Sequence, residues 1–276
     1  MRRIVTGVTA AFIAAVTSVA VPSRAEAAPI YLVETDQDPF GPLKSLTGST
    51  AVELPVPAPF GGSAKAGPSG LATSVTASRT VGPDEHEEGG AGAALFLTDV
   101  VFTGPGPTVE AILNLHLTGS LAATASGGLA ESAVFVLAGL TTDVEMLTLV
   151  LQIDCSTTSG CPVPMVDTVV SHNLGPVPVD VPISLGFALG SNIDFFGRET
   201  GGTFTGSSDF LHTLTFAAGP VFTLPAGYSV NSPDGSIVDN RFVPVESPVP
   251  VPEPATFMLF ITGSIAGVIR ARRRAH

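Results

Sequence analysis

The chain has 276 residues, a net charge of −12 and only 13% charged residues, with 30 glycines and 24 prolines; this mixture speaks against a helical domain and for short strands joined by many turns. From Ala28 to Pro250 five basic residues (Lys44, Lys65, Arg79, Arg198 and Arg241) face 22 acidic ones, a net of −17, which repels phosphate backbones and argues against a nucleic-acid partner. Such acidity suits the solubility of an exported domain or, on a sharper reading, divalent-cation binding.

Met1-Arg2-Arg3 is a basic start, followed by an apolar, small-residue run from Ile4 to Ala20. Ala25-Glu26-Ala27 fits the small-x-small pattern of signal cleavage, so the cut is expected between Ala27 and Ala28, and residues 1–27 read as a signal peptide. An uncleaved N-terminal membrane helix is the competing reading; the short apolar run and Pro22 speak against it.

The body is placed at residues 28–242. Residues Ala28 to Ser78 show little pattern and are expected to hold one or two edge strands with long loops. Asp84-Glu85-His86-Glu87-Glu88, between Gly82-Pro83 and Gly89-Gly90, is the densest ionisable run. It is expected to be a solvated acidic loop. Asp84, Glu85, Glu87 and Glu88 are weak metal candidates, because the run lacks the spacing of an EF-hand loop. Asp36 and Asp38 are a weaker pair of the same kind.

Beyond this run several segments alternate at period two, the signature of half-buried strands. Leu113, Leu115 and Leu117 are predicted to share a face, and so are Leu147, Leu149, Leu151 and Ile153. Ile183, Leu185, Phe187 and Leu189 alternate with Ser184, Gly186, Ala188 and Gly190. Further strands are expected at Ala94–Phe102, Ala133–Leu140, Val166–Ser171, Phe210–Phe216, Val221–Leu224 and Ser236–Phe242. Glycine and proline pairs such as Gly127-Gly128 and Gly175-Pro176 punctuate them. The fold class expected is all-β: an antiparallel β-sandwich or jelly-roll-like body with an N-terminal signal helix and a single C-terminal transmembrane helix.

Cys155 and Cys161 flank the turn-forming segment Ser156 to Gly160. A disulfide closing this short loop is expected in an oxidising compartment; a metal site would need further ligands, and no His lies nearby. No catalytic residues are assigned. A nucleophile triad needs Ser, His and Asp together, and no Gly-x-Ser-x-Gly elbow occurs among the serines around His86, His116, His172 and His212. His116 is expected on a polar strand face, and His212 to be partly buried beside Phe210, Leu214 and Phe216. No cofactor is expected.

Residues 243–254 read Val-Pro-Val-Glu-Ser-Pro-Val-Pro-Val-Pro-Glu-Pro, an extended, semi-rigid stalk. Residues 255–269 carry no charge. Their helix would be about 22 Å long, short of the roughly 20 residues that usually span a bilayer; thinning of the bilayer and snorkelling of Arg270 cover the difference. Arg270, Arg272, Arg273 and Arg274, in the tail 270–276, act as a membrane stop and stay cytoplasmic by the positive-inside rule. Gly263 and Gly267 have the spacing of a close helix contact.

Val251-Pro252-Glu253-Pro254, the apolar helix and the arginine-rich end together resemble the PEP-CTERM sorting signal. The resemblance covers the last 25 or so residues. It implies Pro252, Glu253 and Pro254 as the recognition element of an exosortase. It also implies an exported, C-terminally anchored protein of a Gram-negative bacterium, sorted to the cell surface or beyond. The expected partners are the exosortase, the inner membrane and exopolysaccharide. A structural or interaction role in the envelope or extracellular matrix, linked to exopolysaccharide and biofilm, is expected rather than an enzyme. A lectin-like or Ca²⁺-dependent polysaccharide-binding module is the alternative, although the chain has no Trp and two Tyr for sugar stacking. A hydrolase on the same scaffold is the third reading.

Overall fold

The computed structural model describes residues 29–36, 44–48, 51–141, 147–158, 165–199, 201–233 and 235–243. The signal peptide, the stalk, the C-terminal helix and the arginine tail lie outside the described residues. All the strands belong to the unit Met1–Val245; the other unit, Glu246–His276, lies wholly outside the described residues.

In chain order the described strands are β1 (Ile30–Asp36), β2 (Lys44–Gly48), β3 (Val52–Pro55), β4 (Gly61–Gly67), β5 (Gly70–Val81), β6 (His86–Thr103), β7 (Thr108–Ser126) and β8 (Gly128–Leu140). They continue as β9 (Thr148–Ser156), β10 (Met165–Pro178), β11 (Pro182–Gly197), β12 (Gly202–Phe216), β13 (Phe222–Thr223), β14 (Ser229–Asn231), β15 (Ile237–Val238) and β16 (Arg241–Phe242). The first sheet runs β2-β1-β6-β11-β8-β9, with β14 also on β6; the second runs β10-β7-β12-β5-β4-β3, with β13 also on β7. Every strand pairing is antiparallel. From β5 to β12 the chain crosses between sheets at each step except β8 to β9. The resulting halves, β10-β7-β12-β5 and β6-β11-β8-β9, have the double Greek-key order of a jelly roll.

One core is shared by the inner faces of both sheets. Leu113, Leu115 and Leu117 are fully buried in it, as their alternation predicts. Phe195 and Phe187 of the first sheet meet Phe204 and Phe216 of the second at ring distances of 5.7 and 5.1 Å. Thr73 and Ser191 close a buried 2.7 Å hydrogen bond between the sheets, so two hydroxyls that would be costly to bury singly satisfy each other.

The small residues that alternate along β11 lie on the opposite, outer face. A Cβ at Gly186 would meet the Phe96 ring at 2.8 Å, and one at Gly190 the Phe135 ring at 2.0 Å. The two glycines therefore let Phe96 and Phe135 lie flat on the sheet. These rings join Ile30, Leu32, Leu137 and Leu147 in a second apolar cluster on that face.

Four expectations are corrected. Residues before Ser78 form four strands and most of a fifth; Ala, Gly, Ser and Thr occupy most of β4 and β5, so contrast between the two faces is weak. Leu147, Leu149, Leu151 and Ile153 do not share a face. Val136 pairs with Leu151 and Leu137 with Leu149, so the pairing shifts by one residue at Val150. Such a bulge exchanges the faces: Leu147 joins the outer cluster, while Leu151 and Ile153 pack on the main core. Ser236–Phe242 is a hairpin of two short strands turning at Asp239 and Asn240, both with positive φ. The acidic run is not all loop, since β6 begins at His86.

Candidate functional site

Two outward faces gather polar side chains. On the second sheet the register aligns Thr80, Thr203 and Ser126 in one row and Ser78, Thr205 and Thr124 in the next. Thr76, Ser207 and Ala122 form a third row. Alternation sends the intervening residues inward; Phe204, for example, is fully buried. The hydroxyl of Thr124 bonds that of Thr205, and the Thr203 N–H donates to Ser126 Oγ at 3.3 Å. Further along β7 the same face carries Asn114, which accepts from Ser171 at 2.9 Å and donates to Thr223 at 3.0 Å. His116 bonds exposed Asp167 at 2.7 Å. This face is a flat array of hydroxyl, amide and imidazole groups.

On the first sheet, β6 and β11 set Glu88 opposite Asp194, Gly90 opposite Asn192 and His86 opposite Phe196. On the other flank of β11, β8 sets Glu131 opposite Asp194. Strand alternation puts His86, Glu88, Asn192, Asp194 and Glu131 on one outward face. The His86 ring stacks on Phe196, with centroids 4.2 Å apart and planes 7° from parallel. Its Nε2 lies 3.3 Å from Asp194 Oδ1, and Asn192 Nδ2 donates to Asp194 Oδ2 at 2.9 Å. Asn192 and Asp194 are buried, whereas His86 faces solvent. Burial pushes the Glu131 carboxyl up, and repulsion from Asp154 and Asp194 adds to it. One ligand atom each from His86, Glu88 and Asp194 lies within 4.8 Å of the other two, so among the described residues these three form the group that could hold a metal ion.

Of the four acidic candidates from the sequence, Glu88 joins this cluster. Asp84 occupies a turn with φ of 57°. Glu85 caps the same turn, its carboxylate accepting from Gly82 N–H at 2.8 Å. Glu87 points the other way and is held by Arg79 at 2.9 and 3.3 Å. Sequence reasoning missed Asp194, Asn192 and Glu131. For Asn192 and Asp194 the signal was the continuation of the β11 alternation past Gly190, where outward positions turn from small to polar. Cys155 is disulfide-bonded, while Cys161 lies outside the described residues. So do Ala25, Ala27, Ala28, Asp38, Pro252, Glu253, Pro254, Arg270, Arg272, Arg273 and Arg274, and the side chains of Asp36 and His212. His172 is half-buried, and burial lowers its pKa. Among the described residues no helix is long and apolar enough to cross a membrane.

The body is thus an all-β, antiparallel fold. A match to the PEP-CTERM protein-sorting motif covers residues 250–274, so the chain carries that motif at its C-terminal end. That motif marks a secreted protein with a C-terminal sorting signal, sorted by an exosortase to the envelope or extracellular space. No curated protein matches the chain. Among solved structures it is similar to the VP2 subviral particle of infectious bursal disease virus at 13% identity, over 70% of this chain and 67% of that one, with a TM-score of 0.13. The structure of the Gx strain of that virus is similar at 13% identity over 92% of this chain and 72% of that one, with a TM-score of 0.14. Likeness at these scores carries no argument about fold or function.

Proposed function

We propose that this chain is a non-catalytic structural or interaction protein of the envelope or extracellular matrix, whose sandwich engages exopolysaccharide. The sorting motif supports the address. The observation that carries the interaction is the hydroxyl array on β5, β12 and β7. Neighbours within a row lie about 4.8 Å apart across strands, and the rows repeat every second residue along them, a flat lattice of donors and acceptors suited to a hydroxyl-rich polymer. A lectin-like variant of this reading is favoured by Asn114, His116 and Asp167 on the same face, which add directional partners for sugar hydroxyls.

The test is co-sedimentation of the purified full-length chain with exopolysaccharide isolated from its own host. Wild type is expected to pellet with the polymer with or without EDTA. Thr124→Lys combined with Thr76→Lys, two array positions not paired with each other, places two long cations on the array and should lower the bound fraction several-fold, with the melting temperature little changed because both positions face outward. Equal pelleting of wild type and the double variant, or no pelleting of either, would contradict the proposal.

A further inference from the structure

We propose that His86, Glu88 and Asp194, completed by Asn192, bind one divalent d-block cation of the Zn²⁺ type on the outer face of the first sheet. Paired strands fix the ligands: Glu88 stands directly opposite Asp194, and His86, two residues earlier on the same face, is steadied by the Phe196 ring. The 3.3 Å between His86 Nε2 and Asp194 Oδ1 matches the edge of a tetrahedron, about 3.3 Å, around zinc with bonds of about 2.0 Å. The ligand atoms of His86, Glu88 and Asp194 already lie within 4.8 Å of one another.

Asn192 supplies an independent sign of a missing ligand. Its side chain belongs to the cluster, is 7% exposed, and has an Oδ1 that is buried with no hydrogen-bond partner. A buried acceptor left unmade is costly. Rotating the amide by half a turn brings this oxygen to face Asp194 Oδ2, where Nδ2 now sits at 2.9 Å. Two oxygens facing each other repel, and a cation between them reverses the sign.

Charge points the same way. Asp194 and Glu131 stand directly opposite each other on adjacent strands, a like-charge pair that a cation beside Asp194 would relieve. Asp194 meets no Lys or Arg among the described residues; its ion-pair partner there is His86. An imidazole nitrogen in the ligand set selects a zinc-type ion over Ca²⁺ or Mg²⁺, which take oxygen ligands. Exposed His86 leaves the ion open to solvent on one side. The site is on the sheet opposite the hydroxyl array and stands or falls separately from it.

Isothermal titration of the untagged, EDTA-stripped full-length chain with ZnCl₂ is the test. One saturable Zn²⁺ per chain is expected. His86→Ala and Asp194→Asn should each weaken it at least about tenfold, while Glu110→Gln, at an exposed position on the other sheet, leaves it unchanged. Zinc should raise the melting temperature of wild type and not of His86→Ala. If His86→Ala fails to fold without metal, near-isosteric Glu88→Gln carries the same comparison. No saturable binding by wild type, zinc binding indifferent to these substitutions, or Ca²⁺ binding as tight as Zn²⁺ would overturn the proposal.

Discussion

Glu34→Gln is expected to abolish a loss of stability that wild type suffers as pH rises from 5 to 8.5. Glu34 lies on β1 opposite Gly92 of β6 and Ser45 of β2, with no charge at either position. Its side chain is 2% exposed, and both carboxyl oxygens are buried without a hydrogen-bond partner. Burial pushes its pKa from 4.5 up to about 8. Below pH 4.5 the carboxyl is neutral in both the native and unfolded states and favours neither. Between 4.5 and 8 the unfolded chain ionises while the native state holds its proton, so native stability falls by about 1.4 kcal/mol per pH unit. The loss reaches roughly 3 kcal/mol by pH 7, and above pH 8 it levels off at no more than about 5 kcal/mol. Gln cannot ionise. In urea unfolding with EDTA present, variant and wild type should have similar stability at pH 5, and the variant should be several kcal/mol more stable at pH 8.5. Because the comparison is a difference, other titrating groups such as His172 cancel. A constant gap across the pH range would remove Glu34 from the account of pH sensitivity.

Phe195→Ala should be the most damaging single truncation in the core. Phe195 is fully buried and stands between Phe60, 6.3 Å away, and Phe204, 5.7 Å away. It therefore ties β11 of the first sheet to β12 of the second. The lost transfer energy and the residual cavity together predict a cost of about 3–5 kcal/mol. Its neighbour Asp194 faces outward on the same strand, so Phe195 also holds the strand that presents the ligand cluster. Thermal unfolding should show a fall of about 6–20 °C for a loss of that size in a domain of this length, at roughly 2–4 °C per kcal/mol. A change under about 1 kcal/mol would mean that the inter-sheet contact is not where the core is anchored.

Much of the fold follows from the period-two pattern where large and small residues contrast. Leu113, Leu115 and Leu117, and Leu185, Phe187 and Leu189, announce inward faces that the structure keeps. Strands β4 and β5 escaped because small residues predominate on both faces. The β9 alternation misled for another reason. A single extra residue at Val150 reverses the face, and nothing in four regularly spaced apolar residues marks a bulge. Asp99, with a positive φ of 57° inside β6, is a second such place. Leu97 pairs with Leu185 and Val100 with Ile183, so inward positions change from odd to even there. The ligand cluster was legible only by half. His86 and Glu88 stood out as a charged run, but Asp194 is 108 residues away from His86, and only the β6–β11 register brings it beside them. Charge density suggested a loop at Asp84–Glu88; pairing with β11 makes most of it strand. The hydroxyl array was likewise hidden, because its rows combine residues from three strands that are far apart in sequence.

Intact mass of the native protein, taken from envelope and medium in hosts with and without an exosortase, tests most directly whether the chain is a sorted substrate. Loss of residues 1–27, and of the segment after Pro254 only where the enzyme is present, is the expected result. Retention of Ala255 to His276 in both hosts would contradict it and leave the tail as a plain anchor.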